Sequence, residues 1–128
     1  MRPALSPPVS RRTLVLADGA AITVFTVIGM LSHDGTVSGA GLAEDALPLL
    51  AGWFAAAAAF RLYATRTTRA LLLTWAVGIP VGVLVRAAAL GRLDEPRQLA
   101  FLATTLVLTL AFVSVARAAL PAGLRSGA

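Results

Sequence analysis

The sequence predicts an all-α membrane protein, a bundle of four transmembrane helices. Three observations predict it: 58% hydrophobic residues with a mean hydropathy of +0.82 over 128 residues, four long apolar segments, and connections that are alternately arginine-rich and acid-containing. So much apolar surface exceeds what a soluble domain of this length can hide in a core. We therefore expect much of the apolar surface of the chain to face lipid.

The four apolar segments are predicted to be helices. They cover residues 13–32, 46–63, 70–90 and 99–116. Each is close to the roughly 20 residues that cross about 30 Å of hydrocarbon, and backbone polar groups in lipid find their partners inside a helix. Residues 13–117 therefore form one transmembrane domain, and we expect the proline-containing residues 1–12 and the tail 118–128 to be disordered and cytoplasmic.

The first segment follows Arg11 and Arg12, as a secretory signal would. It is longer than the apolar region of about 7–15 residues in a signal peptide, and it contains Asp18, which is unusual there. We therefore expect it to remain as the first membrane helix.

The charges of the connections predict the orientation, because short arginine-rich loops stay in the cytoplasm. Arginines mark both chain ends and the second connection: Arg2, Arg11, Arg12, Arg61, Arg66, Arg69, Arg117 and Arg125. The Asp, Glu and Arg residues of the first connection are all acidic: Asp34, Glu44 and Asp45. Those of the third connection have both signs: Arg92, Asp94, Glu95 and Arg97. We predict both termini in the cytoplasm and the chain in the plasma membrane.

The net charge of +5 and the pI of about 11.6 also suggest nucleic acid. No groove-reading or base-stacking module accompanies the arginines, so anionic lipid headgroups are the better partner for them. The absence of lysine beside abundant alanine and arginine favours a GC-rich prokaryotic genome.

Catalytic patterns are missing from the sequence. The chain has no cysteine, which removes disulfides, thiol catalysis and cysteine-based metal sites. Nucleophile-elbow, Walker, zincin and paired-carboxylate patterns are also absent. We predict that the chain is not an enzyme and holds no metal or cofactor.

Asp18 and Arg86 are charged residues that lie inside predicted helices and away from their ends, and such residues are functional candidates because they are costly in lipid. With a rise of 1.5 Å per residue they differ in depth by roughly 15 Å, so a direct pair is not expected. Candidate partners at the two ends differ accordingly. For Asp18 they are Arg61, Arg66, Arg69 and Arg117, and for Arg86 they are Asp34, Glu44, Asp45, Asp94 and Glu95.

Each of the two residues has a structural and a functional interpretation. Asp18 either is tied to an arginine or caps a neighbouring helix, or it binds a proton or cation. Arg86 either extends to the interface with its stem along lipid, or it lies in a functional path. Gly78, Gly82 and Arg86 recur every four residues and so share one helix face.

Small residues predict where helices pack. Gly78 and Gly82 form a GxxxG pattern that permits close helix approach, and Pro80 between them is expected to kink the helix. On the second helix Ala51, Ala55 and Ala59 form a stripe with Gly52 and Ala56 beside it, which predicts another packing surface. The hydroxyls of the fourth helix can bond preceding carbonyls of their own helix or reach across to another, and they are expected to hold helices together: Thr104, Thr105, Thr109 and Ser114.

Two further residues are weak candidates. His33, the only histidine, is expected at the outer end of the first helix, where a pH sensor is conceivable but a lone ligand makes no convincing metal site. Trp75 is expected near the inner interface together with Tyr63, since amphipathic rings prefer that depth.

The order of these residues resembles domain-of-unknown-function family 3054 over nearly the whole chain. The matching residues are Asp18, Phe25, Gly29, His33, Gly52, Trp53, Arg69, Ala70, Trp75, Gly78, Pro80, Gly82, Arg86, Leu90, Gly91, Arg92, Phe101 and Arg117. The fourth helix of that family often ends in Trp-Arg, whereas here Arg117 follows Ala116. The resemblance implies a small prokaryotic integral membrane protein and assigns no activity.

Two functional classes remain open. One is a small transporter or channel subunit with Asp18 or Arg86 in its path, in a parallel homo-oligomer. The other is a non-catalytic accessory or scaffold subunit whose glycine and alanine surfaces dock onto a larger membrane partner.

Overall fold

A computed structural model describes residues 9–127 of the chain. This part contains five α-helices and no strand: α1 (Arg11–Asp34), α2 (Gly39–Ala59), α3 (Leu62–Thr65), α4 (Thr68–Ala89) and α5 (Gln98–Gly127). All but the single-turn α3 are long and apolar enough to cross a membrane. The predicted fold class of four transmembrane helices is confirmed.

Polar side chains cap the N-termini of three helices. Ser10 accepts a hydrogen bond from the backbone N–H of Thr13 at the start of α1, and Ser38 and Thr67 do the same at the starts of α2 and α4. Such caps satisfy backbone donors that have no partner within the helix. The capping by Ser10 explains why α1 begins at Arg11, two residues before the predicted start.

The second helix differs from the predicted 46–63 at both ends. It begins at Gly39 because Ser38 caps it, so Glu44 and Asp45, which were assigned to the connection, lie inside its first turns. It ends at Ala59 because Arg61 adopts the left-handed conformation (φ 56°, ψ 41°), which ends α2. The predicted last turn is therefore the separate helix α3, which carries Tyr63.

The last helix begins at Gln98 and continues to Gly127, past the predicted end at residue 116. The helix therefore extends into the tail 118–128, whose disorder stays a prediction. Ala118, Ala119 and Leu120 are strong helix formers, and Pro121 removes only one backbone hydrogen bond. Residues 1–8 and 128, to which the predicted disordered ends also extend, lie outside the described residues.

The four long helices form two layers. α2 packs most closely with α4, and α1 packs with α5, while the contacts of α1 with α2 and of α4 with α5 join the layers. Buried apolar side chains from all four helices fill the centre, among them Ile22, Trp53, Ile79 and Val113. The first and last membrane helices are therefore neighbours.

Three glycines, which we call the glycine seam (Gly52, Gly78 and Gly82), bring α2 and α4 into backbone contact. A Cβ on Gly52 would overlap the carbonyl oxygen of Gly78 and lie 2.7 Å from the backbone nitrogen of Gly82. A Cβ on Gly82 would lie 2.8 Å from the carbonyl oxygen of Pro48. Only residues without a side chain permit this approach.

The neighbouring alanines of α2 lie on a different face. Ala56 is buried beside Gly78, whereas Ala51, Ala55 and Ala59 are exposed. These three residues, the alanine stripe, were predicted to pack, but within this chain they contact no other membrane helix closely enough to be covered. One step along an α-helix rotates a side chain by about 100°, which separates the two faces.

Candidate functional site

Asp18 lies at the centre of a polar cluster near the arginine-rich end of the bundle, which is the end where α1 begins and α3 lies. Its side chain has no solvent exposure. Arg117 of α5 donates to both carboxylate oxygens, with Nε 2.9 Å from Oδ1 and Nη2 2.6 Å from Oδ2. This two-point geometry is the strongest arrangement for an arginine and a carboxylate. The pair ties α1 to α5.

Two aromatic residues extend the cluster to the other layer. The hydroxyl of Tyr63 donates to Oδ2 of Asp18 at 2.7 Å, and it accepts a hydrogen bond from the indole nitrogen of Trp53 at 3.1 Å. Asp18 thus accepts three hydrogen bonds, and the chain Trp53–Tyr63–Asp18–Arg117 crosses from α2 to α5. A buried charge is tolerable when it is paired and hydrogen-bonded in this way.

The environment of Tyr63 keeps its hydroxyl protonated. Burial raises the pKa of Tyr63 above its ordinary value of 10.0, and the hydrogen bond to Asp18 raises the pKa further. Burial acts because the phenolate loses its hydration, and the carboxylate acts because it repels a second negative charge. Tyr63 is therefore a donor to Asp18 throughout the physiological pH range.

Arg86 forms a second ion pair nearer the opposite end of the bundle. Its Nε lies 2.7 Å from Oδ1 of Asp45 on α2, and the side chains are 12% and 27% exposed, respectively. Its guanidinium carbon also lies 4.6 Å from the centre of the Phe101 ring on α5, a cation–π contact. Arg86 thus joins α2, α4 and α5.

The structure selects one partner for each charged candidate from the predicted sets. Asp18 meets Arg117 among four candidate arginines, Arg86 meets Asp45 among five candidate carboxylates, and the two do not pair with each other. Sequence reasoning missed Tyr63 and Trp53 as members of the Asp18 cluster. The signal available was the position of Tyr63, the only tyrosine, among the arginines of the second connection.

Other predicted residues lie outside this cluster. Trp75 is half-buried and donates to the carbonyl of Leu106 at 2.8 Å, which joins α4 to α5. His33 is exposed in the last turn of α1. Pro80 lies half-buried within α4 between the two glycines of that helix.

The buried threonines differ in how their hydroxyls are satisfied. Thr26 and Thr109 donate to the carbonyl four residues earlier, at 2.9 and 2.6 Å. Thr74 and Thr105 are also buried, yet their hydroxyls have no hydrogen-bond partner among the residues that the structure describes. Among the described side chains of residues 9–33 and 35–120, no group of three His, Cys, Asp or Glu residues could hold a metal ion.

Four apolar spanning helices with two inter-helix ion pairs define a multi-pass helical membrane protein. The family model described as "Protein of unknown function (DUF3054)" matches residues 15–120, so the chain belongs to that family. The match contains Asp18, Tyr63, Arg86 and Arg117, and it confirms the resemblance noted in the sequence. No curated protein and no solved structure matches the chain significantly.

Proposed function

We propose that the chain is a non-catalytic accessory subunit of a larger membrane assembly, in which α2 packs on a transmembrane helix of the partner. The observation that carries this proposal is that both intramembrane charges are neutralised inside the chain. Asp18 accepts three hydrogen bonds and is fully buried, and Arg86 is paired with Asp45. Both groups then stabilise the bundle, since each ties helices together.

The alanine stripe supports docking through α2. Small residues spaced by four on an exposed transmembrane face let another backbone approach closely, which drives helix association in lipid. The sequence predicts that the glycine seam docks onto the partner as well, but α2 and α4 use it for each other. An enlarged Gly78 or Gly82 would therefore disrupt the bundle and would not report on a partner.

Site-specific photocrosslinking in native membranes tests the proposal. A photoreactive residue at Ala55 is expected to give an adduct of one defined mass. The matched control is Val107, an exposed apolar residue on α5 (67% exposed), where only lipid adducts are expected. With the probe at Ala55, the substitution Ala51→Phe on the same face of α2 should abolish the adduct, whereas Val107→Phe should not. Equal adducts at both positions, or none at Ala55, would contradict the proposal.

A second candidate function, a small transporter, is favoured by the hydroxyls of Thr74 and Thr105. A buried hydroxyl without a partner costs free energy, and such groups inside a bundle can bind water or a permeating ion. The charged clusters Asp18–Arg117 and Asp45–Arg86 would then close the two ends of a path. An oligomer of parallel bundles remains compatible with this function.

Proton flux into proteoliposomes separates the two functions. The variants Thr74→Val and Thr105→Val keep the side-chain shape and remove an unsatisfied group, so folding should be preserved or improved. A transporter should lose flux in either variant, whereas Thr104→Val, at an exposed position of α5, should not affect it. An accessory subunit should show no flux above empty vesicles in any of them.

The proposal also includes the location of the chain. We place it in the plasma membrane of a prokaryote with both termini in the cytoplasm. The support is the sequence bias that puts eight arginines at the chain ends and the second connection, since such loops resist translocation.

A further inference from the structure

A cleft of about 320 Å³ opens at the arginine-rich end of the bundle, between the start of α1 and the turn from α2 to α3. It is lined by Arg11, Ala57, Ala58, Arg61, Tyr63 and Ala64. We call it the arginine cleft. Its volume lies at the lower end of the range of about 300–1,000 Å³ that is usual for small-molecule sites. The three alanines leave space beside the two arginines.

The arginine cleft carries positive charge and no lining carboxylate. Among the side chains that the structure describes, those of residues 9–33 and 35–120, neither Arg11 nor Arg61 forms an ion pair. The Asp18 carboxylate accepts a hydrogen bond from the lining residue Tyr63, but Arg117 already pairs with both of its oxygens, so it does not serve as the counter-ion of Arg11 or Arg61. Two guanidinium groups without a counter-ion favour an anionic ligand.

The backbone of Arg61 gives an independent reason to regard the cleft as a site. Arg61 is one of two residues other than glycine with positive φ in the described chain, the other being Arg66 (φ 55°). This conformation is unfavourable for a residue with a Cβ, and glycine would adopt it without strain. An arginine at this turn keeps a guanidinium at the cleft at a cost in backbone free energy, a pattern typical of functional positions.

We propose that the arginine cleft binds the phosphate of an anionic phospholipid headgroup. Guanidinium groups form paired, charge-assisted hydrogen bonds with phosphate oxygens. The cleft lies at the ends of the spanning helices α1 and α2, which is the depth of lipid headgroups. The inference does not depend on the accessory role, because either proposed function is compatible with a bound lipid.

Native mass spectrometry from nanodiscs tests the site. The wild-type protein is expected to retain one phosphatidylglycerol and to release phosphatidylcholine at the same activation energy. Arg61→Gly should bind phosphatidylglycerol about fivefold more weakly, the factor for about 1 kcal/mol of surface attraction per arginine. The same variant should be at least as stable to heat as the wild type, because glycine relieves the left-handed backbone. Loss of lipid together with retained stability separates binding from folding.

Matched variants complete the experiment. Arg11→Gln should weaken retention like Arg61→Gly, whereas Arg12→Gln removes the same charge from the next residue, which does not line the cleft, and should leave retention unchanged. Equal losses in Arg11→Gln and Arg12→Gln would mean a non-specific surface attraction and would overturn the site. Retention of phosphatidylcholine equal to that of phosphatidylglycerol would overturn it too. Binding of inorganic phosphate without retention of either lipid would overturn the lipid as the ligand.

Discussion

Arg117 holds both carboxylate oxygens of Asp18 across 99 residues of sequence, with Nε 2.9 Å from Oδ1 and Nη2 2.6 Å from Oδ2. The Asp18 side chain is fully buried, while that of Arg117 keeps 17% exposure at the rim of the cluster. The pair therefore closes the α1–α5 layer at its arginine-rich end, and breaking it leaves a charge without its counter-ion.

Removing one member of this pair should destabilise the bundle strongly. We expect Asp18→Leu to lower the free energy of unfolding by about 3–5 kcal/mol, because the guanidinium of Arg117 is left uncompensated. The double variant Asp18→Leu/Arg117→Met should recover most of the loss, since it removes both charges. Equilibrium unfolding in mixed micelles measures both. A double variant as unstable as the sum of the single variants would show that the pair is not coupled.

The glycine seam predicts a position-specific effect of one methyl group. Gly52→Ala should destabilise the protein by about 1–3 kcal/mol, because its Cβ would overlap the α4 backbone and force the helices apart. Gly29→Ala on α1 is the matched control, since a Cβ there meets nothing within 4 Å and alanine favours helix over glycine by about 1 kcal/mol. The thermal unfolding temperature should fall for the first and hold or rise for the second. Equal shifts would contradict the close approach of α2 and α4.

In the folded protein Tyr63 should ionise at a higher pH than an ordinary tyrosine. It is the only tyrosine, so absorbance at 295 nm reports its ionisation alone. Because its pKa is raised by burial and by Asp18, the folded protein should show no tyrosinate step at pH 10.0, whereas the denatured protein should. Its contribution to stability is complete below pH 10 and declines above it, since only the unfolded chain then releases the proton.

The same titration has an internal control. Asp18→Asn should move the tyrosinate step of the folded protein to lower pH, because the carboxylate no longer repels the phenolate. The step should still lie above that of the denatured chain, since burial is the larger cause. Identical steps in the wild type and in Asp18→Asn would argue against the Tyr63–Asp18 hydrogen bond.

Orientation is testable by single-cysteine labelling, because the chain has no cysteine of its own. We expect a membrane-impermeant maleimide to label Ser38→Cys and Leu93→Cys in intact cells. Ser10→Cys and Thr67→Cys should react only after permeabilisation, since they lie at the arginine-rich end. The reverse pattern would invert the proposed topology.

The sequence predicts well which segments span the membrane, but it predicts poorly which faces of the helices meet and which residues pair across them. Hydropathy and length identify four helices, because lipid imposes both. Depth along the helices restricts Asp18 to partners at one end, but four arginines share that end, and which one meets Asp18 depends on α5 lying beside α1. Likewise, spacing alone could not decide between the faces of Ala55 and Ala56, since both recur every four residues.

Local backbone conformation accounts for the remaining differences. The left-handed turn at Arg61 detaches α3 from α2 and carries Tyr63 towards Asp18. Arginine has no preference for that conformation, so no sequence signal predicts the turn. Ser38 is a helix-capping residue and so a signal for the start of α2 at Gly39. The hydropathy pattern favours the later start at residue 46, because Glu44 and Asp45 lower the apolar character of the first turns.

The pairing of α1 with α5 also sets an order of events during synthesis. A ribosome adds about 5–20 residues per second, so the 99 residues between Asp18 and Arg117 take about 5–20 s to make. During that interval the nascent chain contains the carboxylate without its counter-ion, although α2 and α4 are completed within it and can associate before Arg117 is made. A chain released before α5 is made exposes the unneutralised carboxylate of Asp18 at membrane depth. This carboxylate distinguishes an unfinished copy from a finished one and so offers a recognition feature to a quality-control protease.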